Sequence, residues 1–330
     1  MPIPFPPRRL FARLVAAIGA SAMLAIALAA PAAASLPGVH YPTQSLGNRG
    51  TNVYAIQLLL RERGLAVPLT GIFDAPTVAA VKLAETSFGL PADGIVDSRL
   101  WPMLTPRVEL GSRGEAVRAL QKELNEKRHS HLPTDGVFGT QTRDALLAFQ
   151  RHVGIGASGM AGTITWHYLI WHFELPTFGS STNLCDYTVG NGAANWGTSA
   201  AIAQLEAAAK VIGSKGLGRI GVGDASFEHG GDIPGHETHE MGMDIDIRPL
   251  RYSRDQCSGG TNWHYATYDR NATRQLIRTI RATAPKHVML IYFNDPVLIR
   301  EGLTAWFAGH DDHLHVRYCE KTFPNAMYDC

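Results

Sequence analysis

The sequence predicts an α+β chain: two small three-helix domains, then an α+β domain with a mainly antiparallel sheet. Three features predict it. A unit is written twice in tandem, the mark of duplicated small domains. Apolar residues within each copy recur at helical spacing. Beyond the copies, short alternating runs are interleaved with helical stretches, as in a mixed layer of sheet and helix.

The first 34 residues read as an export leader rather than as part of the fold. Arg8, Arg9 and Arg13 give a positive start, residues 14–29 are apolar and small, and Pro31-Ala-Ala-Ala34 offers a cleavage site before Ser35. Gly19 and Ser21 interrupt the apolar run, which is short for a membrane anchor. The expectation is a signal peptide over 1–34 and a secreted protein of the periplasm or cell wall, with no membrane association after cleavage. Without the leader the chain carries 27 basic and 29 acidic residues, a net charge of −2. That balance offers no basic face for nucleic acid.

Residues 46–104 and 110–169 carry the duplication, giving repeats bounded at 40–106 and 107–173. Leu46-Gly-Asn-Arg-Gly50 matches Leu110-Gly-Ser-Arg-Gly114, and Val53, Ile56, Gln57 and Leu60 match Val117, Leu120, Gln121 and Leu124. After a one-residue insertion, Gly71-Ile-Phe73 matches Gly136-Val-Phe138. Thr77, Gly89, Gly94 and Trp101 then match Thr142, Gly154, Gly159 and Trp166. Val53, Ile56 and Leu60 share one helical face. Asp74 is an expected N-cap with Pro76 in the first turn, and Gly89 an expected C-cap. Thr140 and Gly154 bracket the equivalent helix of the second copy.

Thr105-Pro106 joins the copies, and 174–183, containing Pro176-Thr-Phe-Gly-Ser-Ser-Thr182, reads as a linker to the domain at 184–330. In that domain the pattern predicts helices over 199–212, 272–284 and 296–303. It predicts strands over 219–223, 243–248, 288–293 and 314–317. All four cysteines, Cys185, Cys257, Cys319 and Cys330, lie here, an even count that reads as two disulfides in an exported chain. Three connectivities are possible. Because Cys185 and Cys330 bracket the domain, the expected pairs are Cys185–Cys330 and Cys257–Cys319.

The chemistry-bearing segments are His236-Glu-Thr-His239-Glu-Met-Gly242-Met-Asp244-Ile-Asp246 and His310-Asp-Asp-His313-Leu-His315. On a strand, residues i and i+2 share a face, so His313 points with His315 and Asp244 with Asp246. If the two strands are neighbours, one face gathers imidazoles and a carboxylate, a ligand set suited to zinc with an open fourth position. His236-Glu237 begins like the H-E-x-x-H helix, but the fifth residue is Glu240, and Gly242 and the alternation argue for a strand. Spacing alone leaves Asp244 and Asp246 as rival ligands. Asp311 and Asp312 read as turn residues with solvated charges, and His229, His264 and His287 as histidines outside the site.

The two copies resemble the peptidoglycan-binding domain of wall hydrolases, with its L-G-x-x-G start, G-x-F-G/D turn and T-x-x-A/V-x-x-x-F/A-Q helix. The second copy keeps Phe138-Gly139-Thr140 and Phe149-Gln150; the first has Phe73-Asp74 and Ala84-Glu85. The last domain resembles the lysostaphin, D-alanyl-D-alanine peptidase and hedgehog-like metallopeptidases. Within them it is most similar to the penicillin-insensitive murein endopeptidases. Their G-D-x-S, G-G, H-x-x-H-x-x-G-x-D-x-D-I and H-x-x-H-x-H-V-R segments read here as Gly223–Ser226, Gly230-Gly231, His236–Ile247 and His310–Arg317. The resemblance implies Zn2+ held by His239, Asp246 and His315, with His313 and His310 as catalytic histidines and His236 in an auxiliary role. It implies a D,D-endopeptidase acting on cross-linked stem peptides of peptidoglycan. The alternatives are a D,D-carboxypeptidase and a non-catalytic zinc-containing wall binder. A monomer is expected.

Overall fold

The computed structural model describes residues 41–179, 182–187, 193–321, 323 and 325–330. The expected leader at 1–34 lies outside the described residues.

The first repeat supplies α1 (Thr51–Glu62), α2 (Ala75–Ser87) and α3 (Trp101–Leu104). The second supplies α4 (Glu115–Arg128), α5 (Thr140–His152) and α6 (Thr163–Trp171). Asp74 caps α2, its carboxylate accepting from the Thr77 amide at 3.1 Å, and Gly89 follows that helix in the left-handed region. The matched polar residues prove to be internal staples. Gln57 donates to Ile72 O and Thr77 Oγ1 and accepts from Gly71 N. Gln121 repeats this with Val137 O, Thr142 Oγ1 and Gly136 N. Trp101 and Trp166 are buried and donate to Pro42 O and Pro106 O, tying each copy's last helix to its entry. Glu85, the departure in the first copy, accepts from Gly94 N at 2.8 Å as Gln150 accepts from Gly159 N at 2.9 Å. The substitution therefore keeps the bond.

The repeats do not keep separate cores. Apolar residues from Tyr41 to Ile170 form one continuous cluster, with α1 packed on α4. Lys127 is fully buried at this seam, 2.8 Å from Glu123 Oε2 and donating to Asn52 Oδ1, Leu169 O and Ile170 O. Such full pairing is what makes a buried ammonium tolerable.

The last domain runs β1 (Leu184–Asp186), α7 (Ser199–Ser214), β2 (Ile220–Val222), β3 (Asp244–Ile247), α8 (Arg270–Thr283), β4 (Val288–Tyr292), α9 (Pro296–Arg300) and β5 (Leu314–Tyr318). The sheet order is β1-β2-β3-β5-β4, antiparallel except for the parallel pair β1–β2. β1 is the strand sequence patterning misses; three residues are too few to show a period. Helices α7 and α8 pack together over the apolar sheet residues Ile220, Val222, Ile245, Ile247 and Val316.

The disulfides correct the expected pairing. Cys185 bonds Cys257 and Cys319 bonds Cys330. Sheet order is the reason. Cys185 lies on the edge strand β1, while Cys319 follows β5 near the opposite edge. The terminal turn of 3-10 helix, Ala326–Tyr328, folds back so that Cys330 N donates to Glu320 O, which delivers Cys330 to Cys319.

The repeats seat directly on this domain. Arg49 donates to Thr283 O, Asn52 N to Ser199 Oγ, and Leu46 O meets His287 Nε2 at 3.2 Å. Gly50, at φ 116, lies so close to α7 that a Cβ would come within 2.6 Å of Ser199 O. Glu174, at the start of the expected linker, is buried and exchanges backbone bonds with Gly197.

Glu320 closes this contact. Its carboxyl is completely buried facing Thr43 and Gln44, and burial, outweighing the hydrogen bonds from the Thr43 backbone and the Gln44 side chain, pushes its pKa up to about 8. An acid whose folded pKa is raised binds more protons folded than unfolded, so stability falls as pH rises from the ordinary carboxyl range toward 8. Glu320→Gln is expected to flatten that slope and raise Tm above pH 8 relative to the parent. Equal slopes in a pH series of thermal melts would contradict the assignment.

Candidate metal centre

The β3–β5 register places Asp246 directly opposite His315 and Asp244 opposite Arg317. His239 arrives from the loop before β3, which turns at Gly242 with φ 65. Asp246 Oδ1 is 3.4 Å from His239 Nε2 and 3.3 Å from His315 Nδ1, and the two ring nitrogens are 3.0 Å apart. A tetrahedral ion with bonds of about 2.0–2.1 Å has ligand–ligand edges of about 3.3 Å. All three groups are buried, and Asp246 Oδ1 has no hydrogen-bond partner. A buried carboxylate oxygen without a donor, faced by two imidazole nitrogens, fits a divalent cation.

The far side of each ring is fixed. His239 Nδ1 meets Ala225 O at 3.2 Å, and His315 Nε2 meets Asp244 Oδ1 at 2.8 Å. Asp244 also accepts from Arg317 Nε at 2.8 Å and Tyr328 Oη at 2.7 Å. These partners set the tautomers so that His239 presents Nε2 and His315 presents Nδ1. Asp244 and Asp246 thus both reach His315, from opposite sides of its ring.

The remaining histidines stand around this trio. His236 Nε2 is held by Asp224 Oδ2 at 3.0 Å, and its Nδ1 lies 3.9 Å from Asp246 Oδ2. Ligand atoms of His236, His239 and Asp246 also fall within 4.8 Å of one another. His313 Nδ1 meets Asp312 Oδ1 at 2.9 Å while Nε2 lies 3.9 Å from Asp246 Oδ1. His310 sits beside it, ring centroids 4.7 Å apart, packed on Tyr292 and Phe307. All six expected residues therefore converge.

Sequence reasoning missed the residues that orient them. Asp312 stands exposed in a turn, as expected, but also holds His313. Asp311 accepts from Trp263 Nε1 and Asn294 Nδ2. Asp224 was visible in the Gly223–Ser226 segment, but nothing in its spacing announced His236 as its partner. His287 lies buried under the first repeat, and His229 belongs to a separate cluster.

The electrostatics favour a cation. Burial would raise the Asp246 carboxyl, but the surrounding imidazoles hold it well below the usual range. Burial works against a proton on His315, yet its bond to Asp244 and the nearby Asp246 carboxylate push its pKa up to about 9. His236 is raised by its bond to Asp224. His313 is raised by Asp312 against the effect of burial, whereas burial lowers His310. The carboxylates give the site a negative potential that a bound cation would offset. The centre opens into a cavity of about 420 Å³ lined by Tyr187, Asp224, Asp246, Arg248, Tyr265 and His313. Arg248 lies over the Tyr187 ring, 4.1 Å from its centroid.

Comparison with known proteins agrees with this layout. Residues 49–104 and 113–169 each match the family model described as putative peptidoglycan binding domain. Residues 188–288 match that of the penicillin-insensitive murein endopeptidases, a stretch that includes His236, His239 and Asp246 and ends before His310. The chain is 33% identical over 106 residues to the N-acetylmuramoyl-L-alanine amidase CwlM of Mycobacterium tuberculosis, covering 28% of this chain and 26% of that protein's length. It is 31% identical over 98 residues to an uncharacterized protein in the bpoA1 3'region of Kitasatospora aureofaciens, covering 27% of this chain and 83% of that protein. The chain belongs, in its last domain, to the penicillin-insensitive murein endopeptidase family and carries two tandem peptidoglycan-binding domains ahead of it.

Proposed function

We propose that the protein is an exported, zinc-dependent peptidoglycan hydrolase that cuts peptide cross-links between stem peptides. The observation that carries this reading is the convergence of His239 Nε2, His315 Nδ1 and Asp246 Oδ1 at tetrahedral spacing beside an open cleft. Zinc bound by these three would supply a Lewis acid for the scissile carbonyl and a water acidified to near neutrality.

The chain's own groups then carry the proton traffic. His313, oriented through Nδ1 by Asp312, presents Nε2 to the cleft, where it takes the proton of the attacking water and returns it to the leaving amine. His310, stacked beside His313, shapes the wall behind it. His236, held by Asp224, covers the other side of Asp246. The tandem domains in front would hold the enzyme on its polymer and raise the local concentration of cross-links. Together these parts suit a protein of the cell wall or periplasm.

A carboxypeptidase reading draws on Arg248, a cation lining the same cleft and able to hold a terminal carboxylate. One digest separates the two. Purified muropeptides treated with the zinc-loaded protein should show cross-linked dimers converted to monomers. Loss of a single alanine from monomers would instead establish the carboxypeptidase. Chelation should abolish the reaction, and His313→Ala should slow it by about 10²–10⁴-fold. Dimers and monomers both left unchanged, with stoichiometric zinc bound, would sink the hydrolase reading.

Asp312 gives a second, finer test. Its side chain is 68% exposed, so removing its charge should leave the fold intact. Asp312→Asn is expected to lower kcat on the order of tenfold, with zinc content unchanged, because His313 loses the charged acceptor that orients and polarises it. Parent-like turnover would show that His313 does not depend on it.

A further inference from the structure

A second group of imidazoles lies away from the centre described above. His152 ends α5, His172 follows α6, and Glu228-His229 lies in the loop between β2 and β3. Four ligand atoms, one from each, fall within 4.8 Å of one another. Glu228 is the hub. Its Oε1 lies 3.1 Å from His152 Nε2 and 3.5 Å from His172 Nε2, and its Oε2 lies 3.9 Å from His229 Nε2. Each ring thus turns the same nitrogen toward one carboxylate. These separations bracket the edge of a tetrahedral zinc site of about 3.3 Å.

The independent observation is at His172. Its side chain is 1% exposed, its Nδ1 bonds Phe173 O at 2.8 Å, and its Nε2 is buried with no hydrogen-bond partner. With Nδ1 donating to the carbonyl, Nε2 carries a lone pair aimed at the cluster, the arrangement of a metal-ligating histidine with its outer partner in place. Burial pushes the ring's pKa down to about 4, which keeps that lone pair available at neutral pH. The group borders a cavity of about 550 Å³ shared with Tyr168, Trp171 and Phe173. The loop that brings Glu228 is fixed by Gly230, at φ 76, where a Cβ would meet Glu240 O at 2.5 Å.

The opposing charge is local. Arg128 on α4 also bonds Glu228 Oε1. A carboxylate oxygen has a second lone pair, and Oε2 faces the His229 side. Lys127, the other nearby cation, is paired with Glu123.

We propose that His152, His172, Glu228 and His229 form a second zinc site that clips the second repeat to the last domain. Four protein ligands with no open position make it structural rather than catalytic, and three imidazoles select a transition metal over calcium or magnesium. Two of its ligands come from the repeat and two from the domain, so an ion there ties the binding module to the catalyst.

The test uses the untagged full chain, stripped with chelator and titrated with zinc alone. The parent should take up two equivalents. The His152→Ala/His229→Ala variant, altering the two exposed rings and leaving the buried His172 in place, should take up one. His239→Ala, which touches only the first centre, should also take up one and should still gain thermal stability on zinc addition. That gain should vanish when all three substitutions are combined. A double variant that binds as much zinc as the parent would overturn the proposal. So would a parent that saturates at one equivalent lost in His239→Ala. A single equivalent that survives His239→Ala but not the double substitution would support this site while refuting zinc at the first, so the two readings fail separately.

Discussion

The pairing of β3 with β5 sets Asp246 across from His315, and the site follows from that register. A shift of one residue would turn Asp244 and Asp246 to the other face and break the trio. The register is held from both faces. Ile245, Ile247, Leu314 and Val316 are fully buried in the core beneath α7 and α8. On the other face, Asp244 is saturated by His315, Arg317 and Tyr328. Because Asp244 is fully occupied by donors, Asp246 is left as the carboxylate with an oxygen to spare. Two aspartates two residues apart thereby acquire different tasks.

The second constraint is the union of the repeats with the domain. One apolar core runs through both copies, a buried lysine sits at their seam, and α1 enters against α7 with no room for a side chain at Gly50. A binding module fixed in this way presents its polymer to the cleft in a limited range of orientations. A freely tethered one would only raise local concentration.

Much of this was legible in the sequence for identifiable reasons. The repeats were readable because their matched residues bond within each copy: Gln57 and Gln121, Trp101 and Trp166 recur because each satisfies a local backbone group. The site was readable because a strand's two-residue period puts His313 with His315 and Asp244 with Asp246. What stayed hidden depends on partners far along the chain. The disulfides follow sheet order, which spacing does not encode. The shared core depends on how α1 meets α4. Asp312 is the exposed turn residue its sequence position suggests, but its bond to His313 is not encoded by spacing. His172 drew no notice because its partners lie in another domain.

The most direct measurement is anomalous diffraction at the zinc edge from crystals of the zinc-loaded full chain. A peak is expected, bonded at about 2.0–2.1 Å to His239 Nε2, Asp246 Oδ1 and His315 Nδ1, with a fourth position facing the cleft. Zinc bound there through Asp244 in place of Asp246, or no zinc between β3 and β5, would contradict it.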